Sequence, residues 1–212
     1  MANRRLSRRA WLIAVVVLLL LVIVVAARHN SGTVPTPQSS RPTPAGLHAT
    51  PMTGHVTGGV PVSCQERRAS DGQPLPDRSC TPGVVSAAVS QDNLSSTICH
   101  SGYTKTVRPP ASDTGAFKKK IMVAYHESGP LSAYELDHLV SLELGGSNDA
   151  GNLWPERNDH VRGAVNSKDP VENALNKAVC SHRVTLAAAQ AAIVADWTTA
   201  LARLGLPPLA VQ

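Results

Sequence analysis

Three absences shape the reading of this 212-residue chain. No acidic residue falls within the first 28 positions, where Arg4, Arg5, Arg8, Arg9 and Arg28 lie, and no charge interrupts Trp11 to Ala27. Large apolar side chains are scarce between 28 and 63, a stretch rich in Pro, Thr, Ser and Gly. No CxxC pair occurs among the four cysteines. Each absence excludes something. Taking the five N-terminal arginines from the twenty Lys and Arg leaves fifteen, against fifteen Asp and Glu, so the rest of the chain is formally neutral. The net charge of +5 thus describes the flank of an apolar segment and argues for no nucleic-acid surface. A seventeen-residue apolar run has no polar face to offer a soluble fold. Wide cysteine spacing speaks against a zinc knuckle and for disulfides.

The layout that follows has four parts. Residues 1–10 form a basic cytoplasmic segment, and 11–27 a single transmembrane signal anchor near the lower length limit for a span. Four preceding arginines place the N-terminus inside and the C-terminal domain outside the cell membrane. Val25 and Ala27 also satisfy a small-residue cleavage rule, which would make the protein secreted. Residues 28–63 read as a disordered tether whose His29, His48 and His55 are solvated. Residues 64–212, with a core at 134–180, form a disulfide-stabilised domain. Four cysteines allow three connectivities. The preferred one joins Cys64 to Cys80 locally and Cys99 to Cys180 across the domain.

Within that domain Thr114 is expected to cap a helix running to about Tyr125, with Phe117, Ile121 and Tyr125 at helical spacing. Lys118, Lys119 and Lys120 share its remaining surface, and with Lys105 and Arg108 they could meet a phosphate backbone. Asp169-Pro170-Val171-Glu172 reads as a capping box with proline at the first helical position, followed by an apolar stripe to Cys180. A last helix is expected from Thr185 to Gly205, with Trp197 in the core.

The densest chemistry lies between Tyr134 and Glu156, YELDHLVSLELGGSNDAGNLWPE. A strand is expected over 135–144, a turn at Gly145-Gly146 and a second strand from Asn152-Leu153-Trp154. Adjacent residues on a strand face opposite ways, so Asp137 and His138 would not ordinarily share a ligand. Phosphodiester hydrolysis needs an activated water and a countercharge for the transition state. Histidine suits the first need, and a cation bound by a carboxylate suits the second.

The run ELDHLVSLELGG, followed by NLWPE and then N-x-K-D at a helix start, resembles the HNH (His-Me finger, ββα-metal) endonuclease family, in particular its small exported members. The likeness extends from about Thr81 to Trp197 and implies an α+β fold with a ββα-metal core. It implies His138 as general base, Asp137 as ligand of a divalent metal, and Asn152 as the amide that braces the loop carrying the base. The family's third position, often a second His on the helix, is where this sequence departs. Asn166 is the choice for it and His160 the rival. Asparagine is a better oxygen ligand for Mg2+ or Mn2+ than for Zn2+, which stays a possible cofactor. Lys168, Arg108 and Lys118 are the substrate-binding candidates, Asp169 reads as a cap, and Glu135, Glu143 and Glu156 take no role.

The resemblance therefore implies a metal-dependent endonuclease acting on nucleic acid, DNA first, outside the cytoplasmic membrane. The competing expectation is a non-catalytic envelope module that keeps the fold for binding or scaffolding. A metal-dependent hydrolase of another phosphodiester would use the same site. No protein partner is identifiable from the sequence.

Overall fold

The computed structural model describes residues 47–159 and 166–209. The expected span at 11–27 and the candidate ligand His160 lie outside these. No helix among the described residues is long and apolar enough to cross a membrane. The described chain is a mixed α+β unit of three two-stranded sheets and five α-helices.

The short strands β1 (His48–Thr50) and β4 (Val84–Ser86) pair in parallel, and β2 (Arg67–Arg68) and β3 (Pro74–Leu75) form a small antiparallel ribbon. The functional ribbon is β5 (Tyr134–His138) with β6 (Leu153–Arg157), antiparallel, with Asp137 opposite Trp154 and Glu135 opposite Glu156. The helices are α1 (Tyr103–Val107), α2 (Ala111–Ala124), α3 (Asp169–Cys180), α4 (Leu186–Asp196) and α5 (Ala200–Arg203).

Two apolar clusters flank the ribbon's continuation. Leu139 packs with Phe117, Ile121, Tyr125, Leu153 and Trp154, while the next residue, Val140, packs with Leu144, Leu175, Val179, Ile193 and Trp197. Period-two alternation thus splits one dipeptide between two cores. Burying large side chains of this kind contributes roughly 1.5–3 kcal/mol each.

Several expectations need correction. Residues 47–63 are part of the folded unit and not tether. Their backbone is held by the domain: Thr57 donates to Asn148 O at 3.0 Å and accepts from Ala150 N at 2.8 Å, and Val56 and Val60 pack on the second cluster. Low apolar content did not decide the matter because the hydrogen-bond partners come from elsewhere. The first strand stops at His138, and 142–144 is a 3-10 turn, because Asn152 takes over the hydrogen bonds of Val140. Helix α2 begins at Ala111, directly after Pro109-Pro110, so Thr114 lies inside it and is not its cap. Helix α3 begins as expected, but Lys168 precedes its first residue and the Asp169 carboxylate accepts from Asn166 N instead of capping. The last helix is broken at Asp196, which is extended (φ −175°, ψ 106°) and caps a 3-10 turn through Thr198 N. Trp197 is buried, its Nε1 donating to Pro74 O.

The glycine pair has separate duties. Gly145 sits at φ +74°, closing the 3-10 turn in the left-handed region. A Cβ on Gly146 would fall 1.7 Å from Val140 O, so only glycine permits that approach.

The disulfides are Cys64–Cys80 and Cys99–Cys180, the preferred pairing, and no described cysteine is free. They are compatible with an extracellular or secreted protein. The second closes the longer loop, with a sequence separation of 81 against 16. Replacing Cys99 and Cys180 with alanine should therefore cost about 4.5 kcal/mol, and replacing Cys64 and Cys80 about 3 kcal/mol, in urea denaturation. An equal or reversed order would show that loop length does not govern their contribution.

Candidate functional site

His138 ends β5 and is 7% exposed. Its Nε2 lies 2.9 Å from Asn148 Oδ1. The amide of Asn148 is fixed on its other side, where Nδ2 donates to Thr53 O at 2.6 Å and to Val107 O at 2.7 Å. An amide that spends both hydrogens on carbonyls must present oxygen to the ring, so Nε2 carries the proton and Nδ1 the lone pair. No hydrogen bond among the described residues engages Nδ1. Burial lowers the His138 pKa to about 4, against the opposing effects of the Asn148 bond and the Asp137 charge, so the ring is neutral at physiological pH.

His138 faces a cleft of about 550 Å³, lined by Arg108, Thr114, Lys118, Tyr134, Glu135 and Asn158 among others. The turn after α1 supplies Arg108, which is exposed, and α2 supplies Lys118, whose Nζ donates to Tyr134 O at 2.5 Å. That bond uses one of three ammonium hydrogens and leaves two for a ligand. Two of the three expected substrate-binding residues therefore share a cleft with the expected base.

Asn152 is completely buried and braces the loop between the strands. Its Oδ1 accepts from Val140 N, and its Nδ2 donates to Val140 O and Ser147 O, each at 2.9 Å. The loop of 139–147 is thereby pinned at the end of the strand that presents His138.

The third substrate-binding expectation, Lys168, is corrected by the structure. Lys168 has no exposed surface. Its Nζ forms an ion pair with Asp137 Oδ2 at 2.8 Å, pairs with the Glu172 carboxylate, and donates to His138 O at 2.9 Å. Burial alone would lower its pKa, but the charges of Asp137, Glu172 and Glu156 outweigh that and raise it, so the ammonium is held charged. Burial also raises the pKa of Glu156 and of Glu172, the latter against the pull of Lys168.

Among the described residues the metal expectation meets an occupied position at Asp137. Asp137 Oδ2 already accepts from Lys168 Nζ and from Trp154 Nε1, both at 2.8 Å. An ion there would have to displace an ammonium held by two carboxylates. Asn166 donates through Nδ2 to Glu135 Oε2 at 3.3 Å, and its buried Oδ1 has no partner among the described residues. No group of three or more His, Cys, Asp or Glu among those residues is arranged to hold a metal ion.

Asn148 is the functional residue that sequence reasoning missed. Ser147-Asn148-Asp149 reads as turn chemistry, and its partners, Thr53 and Val107, lie in a presumed tether and a short helix. Trp154 is buried in the core, and its indole also holds Asp137. Glu156, without an expected role, is buried with Oε2 unpartnered among the described residues.

No family model, curated protein or solved structure matches this chain.

Removing Lys168 leaves buried carboxylates without their countercharge. Lys168→Ala should destabilise the fold by roughly 3–5 kcal/mol in urea denaturation, and a cost below 1 kcal/mol would contradict the buried ion pair. The pH dependence of His138 has a definite sign. Its folded pKa of about 4 lies below the unfolded 6.5, so the unfolded chain takes the proton first as pH falls. Stability is lost between about pH 6.5 and 4, by about 3 kcal/mol, and not further below. Melts of wild type and His138→Gln across that range should differ by this slope.

Proposed function

We propose that this chain is a phosphodiester hydrolase of the HNH type, an endonuclease acting on nucleic acid outside the cytoplasmic membrane, with His138 as general base. The observation that carries the reading is His138 lining the same cleft as Arg108 and Lys118, with its Nε2 held by Asn148 and no hydrogen bond to its Nδ1 among the described residues. Further support comes from the order of DH, GG and NLW in the sequence and from Asn152 bracing the loop as the resemblance implies.

In this mechanism a water between Nδ1 and phosphorus gives its proton to Nδ1 as its oxygen attacks. The phosphorus–oxygen bond to the leaving 3'-oxygen breaks, and that oxygen takes a proton from solvent. Nε2 keeps its own proton throughout because Asn148 accepts it. Arg108 and Lys118 offset the charge gathering on the phosphoryl oxygens, Arg108 with a planar fork suited to two of them. Lys168 and Asp137 set the position of the strand end from behind and touch no substrate, and Lys168 holds the His138 carbonyl.

The test uses purified full-length chain on plasmid DNA and on RNA. His138→Ala should lower the cleavage rate about 10²- to 10⁴-fold. The acid limb of kcat/KM should fall near pH 4 instead of near the usual histidine value. Arg108→Ala and Lys118→Ala should mainly raise KM, each lowering the slope of log affinity against log salt by about one. Wild type inert on both nucleic acids, with and without divalent ions, would sink the reading and favour the envelope-module alternative.

A further inference from the structure

The resemblance calls for a divalent ion at Asp137, yet an ammonium is already there. We infer that Lys168 is the resident cation of this site, built into the chain where a metal ion would otherwise sit. On this view Asp137 binds no divalent metal and the cleft works with metal ions chelated. The activity part of the inference rests on the hydrolase reading above; the binding part does not.

Four observations converge. Lys168 Nζ makes its two ion pairs to carboxylates from different elements, Asp137 on β5 and Glu172 one turn along α3. A single cation bridging a strand and a helix is the arrangement a metal would give a ββα unit, and the ammonium supplies it without recruiting anything from solution. The same Nζ donates to the carbonyl of His138 itself, which ties the charge to the strand end carrying the base. Lys168 has no exposed surface, so an ion taking its place at Asp137 Oδ2 would have to displace a fully buried side chain. The other acceptor position of Oδ2 is filled by Trp154 Nε1.

The donor types agree. A hard divalent ion is selected by several oxygen ligands that are free to turn toward it. Here the Nδ2 of Asn166 donates to Glu135 and its backbone N–H to Asp169, so neighbours orient the side chain, while its Oδ1 is buried without a partner among the described residues and makes no hydrogen bond with the Lys168 cluster. Lysine offers three N–H donors and finds three acceptors, Asp137 Oδ2, Glu172 Oε1 and His138 O, which satisfies it completely.

Mn2+ provides the test, read by electron paramagnetic resonance on the full-length chain, which reports binding without reference to activity. Wild type and Asp137→Asn should both leave millimolar Mn2+ in its free aqueous form, and cleavage by wild type should survive EDTA. Lys168→Ala should open the carboxylates to the ion: it should bind Mn2+ at least about tenfold more tightly than wild type, a threshold of ~1.4 kcal/mol, and its melting temperature should rise when Mn2+ is added. This second readout works even if the variant folds only with the ion present. Mn2+ bound by wild type and lost in Asp137→Asn would overturn the inference, whatever the cleavage result. Lys168→Ala that Mn2+ neither binds nor stabilises would overturn it too, because the carboxylates would then not be a cation position. Free Mn2+ with wild type, bound Mn2+ with Lys168→Ala and no cleavage under any condition would uphold Lys168 as resident cation while the hydrolase reading fails.

Discussion

One buried ion pair organises this domain. Lys168 and Asp137 meet in a region with almost no solvent, and that contact, with the bond from Lys168 to His138 O, ties the end of β5 to the start of α3. Such pairs contribute little net stability compared with well-packed apolar residues, since desolvation offsets most of the attraction. Their cost is severe only when one partner is missing. An interaction of that kind specifies position: it makes every alternative register of β5 against α3 expensive, since any slip would strand a charge in the core.

Around that contact the site divides into two sides of one ribbon. Asp137 and His138 are adjacent in sequence, and alternation along a strand sends them to different environments. Asp137 joins Trp154, Lys168 and Glu172 in a closed cluster. His138 reaches Asn148 and the open cleft of Arg108 and Lys118. The charged side is closed, while the imidazole lines the cleft. Burial keeps it neutral, and the amide opposite fixes which nitrogen holds the proton.

What the sequence made legible depended on locality. The ribbon's existence, the glycine turn and the starts of α3 and α4 could be read because each rests on spacing or caps within a short window; the disulfides rested on cysteine count and compartment, and the brace at Asn152 on the resemblance. Lys168 was misread because a lysine beside a helix start looks solvated. Nothing local tells that Asp137, thirty-one residues earlier, will bury it. Asn148 was missed for the same reason, since its partners come from residue 53 and residue 107. The tether was drawn too long because composition measures what a segment can bury by itself, whereas residues 47–63 are held by hydrogen bonds to groups that the domain supplies. The break at Asp196 was hidden by a helical apolar period that continues through it.

The three-way junction at Asn148 bears on when the protein becomes competent. Thr53, Val107 and His138 are joined through one amide, and they are brought together from segments separated by more than fifty residues on one side and thirty on the other. Contacts of such long range close late, after local helices and turns have formed. The proton on Nε2 is therefore assigned by the last stages of folding and not by the imidazole's own preference between tautomers. A chain still emerging or still partly unfolded has every one of these residues and not yet their junction, so the tautomer arrives with the completed topology.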